Sequence, residues 1–383
     1  MEPLAYWKRM DDIQDRSRPF FWTNDAQGYW VFTDHDVILE GLQHPELFSN
    51  QVIVPDDPDP PYKWIPIMLD PPEHTKWRQV LASYFSPGRV RSMEDQQRAF
   101  ANELIDAVIA DGGADFYVRY SKVFPTTIFL QIMGLPVEGL ADFMRWEEQI
   151  LHGTSESDPD QTIAYQAMLE VMAYFQQQID DKRANPDHQK NDIVSFALDW
   201  KIDGEPIQDQ DLLSCMLLLF MAGLDTVAAN LSYIFLHLAT HDADRQRIVD
   251  DPSSIPAAVE ELMRTYPIVQ TARKATQDVE FHGCPVKAGD MVAFPLGFAG
   301  RDESHYDGAK EVDLDREGVR HLGFGAGPHR CLGSHLARQE MIVTLEEWHR
   351  RIPHYRLVEG ADLEEHGGGV YSLESLPLEW DVR

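Results

Sequence analysis

The sequence predicts a mainly α-helical fold with a minor β portion, and three observations support this prediction. Helical periodicity dominates from about residue 71 to 265. Strand-like segments occur at 28–34 and 273–295, and a further helix follows Cys331. Hydrophobic residues make up 43% and charged residues 25% of the chain, which is ordinary for a globular protein and argues against disorder, a collagen-like fibre or a coiled coil.

The 383 residues contain no segment that resembles an interdomain linker, so we expect one large domain over 1–383. Residues 50–66 carry five prolines and three aspartates and are typical of a loop. We expect this loop to act as a lid over a pocket, with Tyr62, Trp64 and Ile65 near the ligand.

The formal net charge is −31, which disfavours nucleic-acid binding because the chain repels phosphate backbones. The three cysteines do not form a disulfide scaffold, so a reducing cytoplasm is expected. The N-terminal sequence has no apolar core typical of a signal peptide. The longest apolar stretch, 212–224, is shorter than the about 20 residues that a membrane helix needs, so we expect no membrane association.

A long helical pattern without proline covers about 209–240. Asp225 is the only charged residue between Leu212 and Leu236, and an isolated carboxylate in such a segment needs a partner or a function. It lies in the segment Ala-Gly-Leu-Asp-Thr, 222–226. From the residues alone, Thr226 could simply bond to a helix carbonyl and Gly223 could simply allow close packing.

The ten residues 324–333, Phe-Gly-Ala-Gly-Pro-His-Arg-Cys-Leu-Gly, are the most informative segment. Their glycines permit a turn with positive φ, and Cys331 precedes a helix whose N-terminus favours a thiolate, the form that binds metals. A buried structural cysteine, or a zinc site with His329 and His335, would also be compatible with these residues. Covalent c-type haem would need a C-x-x-C-H motif, which is absent.

This segment resembles, at each fixed position, the haem-binding loop of the cytochrome P450 family, Phe-Gly-x-Gly-x-His-x-Cys-x-Gly. The resemblance implies the P450 fold, a triangular helical domain with a long central helix and small sheets. It also implies haem b, with Cys331 as axial ligand of the iron and with Phe324 and Gly325 in the cofactor site. A cysteine thiolate on haem iron favours O–O cleavage.

Two further motifs resemble the same family. Glu261 and Arg264 form an E-x-x-R pair on one helix face, and the resemblance implies a buried pair that braces the haem loop, with Arg316 as third member. The segment Asp-Pro-Pro-Glu-His-Thr-Lys-Trp-Arg, 70–78, is predicted to start a helix with Asp70 as its N-cap. The residues that the family would use to bind the haem propionates are His74, Arg78, Arg273 and His329.

The segment 222–226 resembles the central-helix signature of the family, which implies that Asp225 and Thr226 deliver protons for oxygen activation. The remaining pocket residues are carried over from the resemblance and are largely apolar, so a hydrophobic substrate is expected. They are Leu218, Met221, Ala222, Val269, Thr271, Val370 and Ile65.

The resemblance implies a monooxygenase that inserts one atom of O₂ into a hydrophobic substrate by hydroxylation or epoxidation, with electrons from NAD(P)H through a separate ferredoxin and reductase. Two positive segments, 74–91 and 319–338, contain no aspartate and no glutamate in this acidic chain, and we expect them to dock an acidic ferredoxin-type donor. The alternatives are a peroxygenase that uses H₂O₂ and a non-catalytic haem sensor or carrier. We expect a monomer.

Overall fold

The apolar middle of the chain forms one long helix, Asp209–Thr240, which runs through the core. The structure is a computed structural model that describes residues 4–14, 18–152, 158, 160–185 and 192–382. About 53% of it is helical and the sheets are small, which confirms the predicted fold class. The long helix has the length and composition of a membrane span, but 72% of its most apolar window is buried inside the fold, which is typical of a core helix.

The helices of the described residues have these bounds: α1 Ala5–Ile13, α2 His35–Gln43, α3 Glu73–Leu81, α4 Pro87–Arg91, α5 Glu94–Asp106, α6 Val123–Met133, α7 Leu140–Leu151, α8 Thr162–Ala184, α9 Ile193–Ala197, α10 Asp209–Thr240, α11 Asp242–Asp250, α12 Ile255–Thr265, α13 Leu296–Gly300 and α14 Ser334–Arg351. A turn of π-helix at Tyr117–Ser121 precedes α6.

The strands are short: β1 Phe20–Thr23, β2 Tyr29–Phe32, β3 Phe48–Ser49, β4 Gly113–Asp115, β5 Lys201–Ile202, β6 Glu205–Pro206, β7 Gln270–Ala275, β8 Val279–Phe281, β9 Cys284–Val286, β10 Met291–Pro295, β11 Arg356–Leu357, β12 Glu365–His366, β13 Ser372–Leu373 and β14 Pro377–Glu379. The largest sheet has the order β1-β2-β10-β7-β3, in which only β2 and β10 run parallel. A second sheet joins β11, β14 and β4, and the remaining strands form two-stranded pairs.

The core divides into two large clusters of buried side chains, and α10 belongs to both. Its N-terminal half, from Leu212 to Leu224, packs with α6, α7, α8 and α9. Its C-terminal half, from Val227 to Ala239, packs with α12, α14 and the five-stranded sheet. The helix is therefore buried on most of its surface because it forms the contact between two layers. Asp225 and Thr226 lie where the two clusters meet.

Helix α3 begins later than its sequence predicts. Asp70 is not its N-cap: the helix starts at Glu73, and Pro72 before it gives no side-chain cap. The Asp70 carboxylate instead accepts hydrogen bonds from Ser49 Oγ at 2.5 Å and from the Asn50 amide at 2.9 Å. Asp70 therefore ties the start of α3 to strand β3 and to the beginning of the loop 50–66.

Candidate active site

A cavity of about 340 Å³ lies between α10 and the cysteine loop. One wall is the cysteine loop that precedes α14, including Phe324, Gly325 and Cys331. The opposite wall is α10, where Ala222 and Thr226 lie one turn apart on the same face. Most of the lining is apolar, and a few polar groups take part in it. This combination suits a mostly apolar ligand that carries a few polar groups.

The cysteine loop is held by its backbone. Gly325 and Gly327 have φ values of +68° and +66°, a region that L side chains rarely adopt. The Cys331 amide donates to the Phe324 carbonyl at 2.8 Å, which closes the loop on itself. A Cβ at Gly327 would lie 2.3 Å from the Leu42 carbonyl oxygen, so only glycine fits against α2 at that point.

The thiol of Cys331 lies deep in the molecule, yet its side chain is accessible because it faces the cavity. Burial raises the pKa of this thiol, whereas a hydrogen bond from the Gly333 amide and the positive charges of Arg78, Arg330 and Arg338 act to lower the pKa. Burial outweighs these contacts and the pKa stays raised, so the thiolate needs a bound metal ion to stabilise it. In the described residues no histidine or acidic residue joins Cys331 in a ligand cluster, which disfavours zinc.

Four nitrogen donors enter the cavity together: His74, Arg78, Arg273 and His329. His74 Nδ1 and His329 Nε2 are buried without a hydrogen-bond partner in the structure. Their rings lie 3.9 Å apart. Burial, reinforced by neighbouring positive charge, lowers the pKa of His74 to about 4 and the pKa of His329 to about 2.

The two arginines bind only backbone oxygens: Arg78 donates to the Arg330 carbonyl at 2.7 Å and Arg273 to the Ala272 carbonyl at 2.6 Å. Burial lowers the pKa of Arg273 to about 10. Neither arginine has a carboxylate ion-pair partner among the residues that the structure describes. Buried cations without an anion are costly, so the site lacks one or two carboxylates that a ligand would provide. A thiol on one side and carboxylate-binding donors at the edge fit haem.

Helix α12 carries a buried network of charged side chains. Arg264 donates to both Glu261 oxygens, at 2.8 and 2.7 Å, and Arg316 Nε lies 3.2 Å from each. Arg264 also donates to the carbonyls of Gly300, Ala309 and Glu311 at 2.6 to 2.7 Å. The three residues therefore form a single buried network with the segment upstream of the loop.

Sequence reasoning missed a second bracing residue on α12. Glu260 accepts from Arg338 after the loop and contacts His321 before it. Burial acts to raise the pKa of Glu260, but the hydrogen bonds from Arg338 and His321 outweigh burial and lower this pKa to about 2. The position of Glu260 next to Glu261 is a signal in the sequence, but nothing there indicates that Arg338 and His321 are its partners.

Thr226 and Asp225 point in different directions. Thr226 lines the cavity, and its Oγ1 donates to the Ala222 carbonyl at 3.1 Å. Gly223 also lines the cavity, and a Cβ there would lie 2.5 Å from the Phe129 ring. Asp225 does not line the cavity: it is 1% exposed and lies behind α10, where Oδ1 is 3.3 Å from Nε2 of His152.

The structure places four of the seven predicted pocket residues in the cavity wall: Leu218, Ala222, Val269 and Thr271. Met221, Ile65 and Val370 lie outside it. Met221 is turned about 100° from Ala222 on the helix and packs in the core. Ile65 packs in the same cluster. Val370 forms a β-bridge with the lining residue Val269.

The loop 50–66 contributes to the cavity with other residues than expected. Asn50, Val52, Ile53 and Pro66 line it, whereas Tyr62 and Trp64 stack on each other at 4.8 Å outside the lining. Sequence reasoning also missed the polar lining residues Gln270 and Asn230.

Comparison with known proteins identifies the family of the chain. A family model described as "Cytochrome P450" matches residues 157–251 and 253–351. The "Probable cytochrome P450 127A1" of Sinorhizobium fredii is 32% identical over 374 residues, which cover 96% of this chain and 88% of the relative. The "Mycinamicin IV hydroxylase/epoxidase" of Micromonospora griseorubida is 33% identical over 295 residues, 76% of this chain and 73% of that protein.

The crystal structure of CYP101J2 superposes with a TM-score of 0.89 at 32% identity, covering 100% of this chain and 94% of that one. The structure of the bottromycin biosynthetic protein SalCYP gives a TM-score of 0.85 at 30% identity and covers 99% of this chain and 92% of that one. The family implies a haem-thiolate cofactor, O₂, an organic substrate and redox partners. The chain belongs to the cytochrome P450 family and is a monooxygenase, an oxidoreductase that incorporates oxygen.

Proposed function

We propose that this enzyme inserts one atom of O₂ into a C–H bond or a double bond of a hydrophobic substrate, using haem b held by Cys331. The observation that carries the proposal is the cavity lined together by the Cys331 thiol, the Thr226 hydroxyl and four nitrogen-bearing side chains. Two of these, His74 and His329, have a buried nitrogen without a hydrogen-bond partner, and the two arginines donate to backbone oxygens without a carboxylate partner. When bound, haem supplies the activation of O₂. His74, Arg78, Arg273 and His329 would hold its propionates, and Phe324 and Gly325 would lie along its face.

Proton supply falls to Thr226 and Asp225. The Thr226 hydroxyl can hold a proton at the cavity surface, because its Oγ1 keeps its acceptor lone pairs while it donates to Ala222. Asp225 lies on the other side of the helix and would supply protons to Thr226 from behind. A peroxygenase that receives its protons with H₂O₂ would not need this pair.

The substrate is expected to be largely apolar. Leu218, Ala222 and Val269 give the cavity an apolar wall, and Thr271 offers one hydroxyl, which already donates to the Phe294 carbonyl at 2.9 Å. Two further lining groups, Gln270 Nε2 and Asn50 Oδ1, are buried without a hydrogen-bond partner and are left for polar parts of a substrate, so shape would still dominate recognition.

We further propose that electrons come from NAD(P)H through a ferredoxin reductase and an acidic ferredoxin that docks near the cysteine loop. Arg89, Arg91, Arg320 and Arg330 are exposed and support this surface. Lys76 and Arg338 support it less, because they pair with Asp203 and Glu260. We infer a cytoplasmic monomer. Its chain acts as one domain, since a single cluster of buried side chains includes both Trp7 and Trp380.

The cofactor proposal is tested by expressing the protein with a haem precursor and recording the spectrum of the reduced CO complex. Thiolate ligation is expected in the parent protein, and Cys331→Ser should lose it. A colourless protein, or an unchanged spectrum after Cys331→Ser, would contradict the proposal.

The relay is tested with Thr226→Ala, which should raise the NAD(P)H consumed per product formed, because the hydroxyl no longer holds a proton at the cavity surface. Full coupling in this variant would remove Thr226 from the mechanism. A holoenzyme that shifts its spin state with hydrophobic compounds, but turns none of them over with ferredoxin and reductase, would instead indicate a sensor or carrier.

A further inference from the structure

A cluster of buried charged side chains lies behind α10, on the side away from the cavity. Its centre is His152, which directly follows α7 and whose side chain is 5% exposed. Nε2 of His152 lies 3.3 Å from Oδ1 of the buried Asp225, and Nδ1 lies 3.6 Å from Oε1 of Glu374. The Glu374 side chain is 40% exposed. The imidazole therefore joins a carboxylate inside the protein to a carboxylate at the surface.

A second buried carboxylate completes the cluster. Both oxygens of Glu147 are buried without a hydrogen-bond partner in the structure, and one lies 3.7 Å from Lys122 Nζ. One ligand atom each of Glu147, His152 and Asp225 lie within 4.8 Å of one another. Two cationic side chains already face these acids, so the cluster forms a charge-compensated network without a metal ion.

The remaining titratable neighbours are His366 and Tyr117, together with Glu148. The His366 ring stacks on His152 at 4.5 Å, and its Nδ1 lies 3.7 Å from the same Glu374 oxygen. Glu148 is exposed and lies 3.6 Å from Lys122. Burial, together with the charges of Asp225 and Glu147, raises the pKa of Tyr117, so this hydroxyl is neutral at pH 7.

The two histidines differ in charge. Burial acts to lower the pKa of His152, but the hydrogen bonds to Asp225 and Glu374 outweigh burial and raise this pKa to about 10. Burial lowers the pKa of His366, and the positive charge of His152 lowers it further. Burial and the charge of Asp225 raise the pKa of Glu147 to about 7. At neutral pH the cluster therefore contains an imidazolium at position 152 and a neutral ring at position 366.

We propose that His152 is a positioning residue for the proton-relay acid: it holds Asp225 by Oδ1 behind the central helix and connects it to solvent through Glu374. The inference rests on the proposed function of Asp225 and Thr226. Without His152, Oδ1 of Asp225 would lose its partner, while Oδ2 already has none in the structure. A buried carboxylate without a hydrogen-bond partner would rotate or take up a proton. Either change would disturb the delivery of protons to Thr226.

The first test measures His152 itself. The reduced CO form of the holoenzyme is labelled with ¹³C-histidine, and the His152 signal is assigned by its absence in His152→Gln. We expect a pKa above about 8 that falls by at least about one unit in Asp225→Asn, because that variant removes the negative partner. A pKa near the ordinary value of 6.5, or one unaffected by Asp225→Asn, would overturn the proposal.

The second test measures turnover across pH. His152→Gln should lower product formed per NAD(P)H about threefold or more and alter the pH profile of kcat, with KM for the substrate unchanged. His152→Lys should restore part of the coupling, because it returns a cation. His366→Gln, which removes the stacked neutral ring, is the matched control and should change neither. Unchanged coupling and an unchanged profile in His152→Gln would refute the positioning role.

The two proposals fail differently. If Thr226→Ala also stays fully coupled, the relay is wrong, while the pKa of His152 still reports whether it binds Asp225. Stability provides a further readout, since a raised pKa of His152 gives stabilisation that is complete below pH 6.5 and is lost as pH rises through about 10. The difference in Tm between the parent protein and His152→Gln should therefore shrink over that range. A constant difference would indicate packing alone.

Discussion

The two walls of the cavity are built in different ways. The cysteine loop, 324–333, is fixed mainly by backbone groups, by glycines with positive φ and by buried charges of α12 that contact the segments before and after it. The opposite wall is one face of α10, whose other faces are buried in two core clusters. The first wall is specified by individual residues and the second by packing, so substitutions in each should have different consequences.

The largest effect is expected where the loop wall is braced. Arg264→Ala removes the most buried ion-pair partner of Glu261 and the donor to three interior carbonyls, so it should lower the free energy of unfolding by about 3–5 kcal/mol. Urea denaturation of the holoenzyme measures this change. Arg247→Ala is the control, because Arg247 pairs with Asp315 at the surface, and it should leave the transition almost unchanged. Similar losses in both variants would contradict the bracing role.

The helix wall is tested by two neighbouring residues. Met221 packs in the core, so Met221→Ala should cost about 2–5 kcal/mol of stability and leave ligand binding unchanged. Leu218 faces the cavity, so Leu218→Ala should weaken binding of hydrophobic ligands several-fold, at about 0.8 kcal/mol for each contact of CH₂ size that is lost. Denaturation and spin-state titration measure the two quantities. The reverse pattern would show that the helix face is assigned wrongly.

Substitutions at two glycines of the cysteine loop distinguish the stability cost of backbone strain from that of close packing. Gly325→Ala meets no atom within 4 Å and should cost only the strain of a positive φ, about 1 kcal/mol. Gly327→Ala has the same φ and also approaches the Leu42 carbonyl, so it should cost more, about 1–3 kcal/mol or above. Thermal unfolding of both haem-free proteins compares them, because the proposed cofactor would contact Gly325. Equal losses would show that α2 moves away without cost.

These differences explain which parts of the site the sequence could predict. Cys331 and Arg264 belong to patterns with several fixed neighbours. Cys331 lines the cavity and Arg264 donates to Glu261 in the interior, while their roles toward the cofactor stay predictions. The family resemblance places Met221 in the cavity, but which helix face meets the cavity depends on what packs against the other faces. The local pattern predicts Asp70 as a helix cap, whereas its carboxylate accepts a hydrogen bond from Ser49 in strand β3.

His152 lies beyond sequence reasoning for the same reason. It follows α7 and belongs to no motif, and its partners are 73 residues away on α10 and, in Glu374, near the end of the chain. Only the fold brings one imidazole between those two carboxylates. The sequence indicates that the Asp225 carboxylate needs a partner, and the structure places His152 beside it.

The smallest expected effect concerns the outer surface of the loop wall. Arg330→Glu should slow reduction by an acidic ferredoxin several-fold and weaken its dependence on salt, because Arg330 is exposed beside Cys331. Arg183→Glu makes the same change of charge at an exposed site that pairs with Asp209, at the start of α10, and should leave the rate unchanged. Stopped-flow reduction at several ionic strengths distinguishes the two. The spectrum of the reduced CO complex verifies that sulfur ligation survives Arg330→Glu. An equal loss of rate in both variants would mean that net charge, rather than this surface, guides the donor.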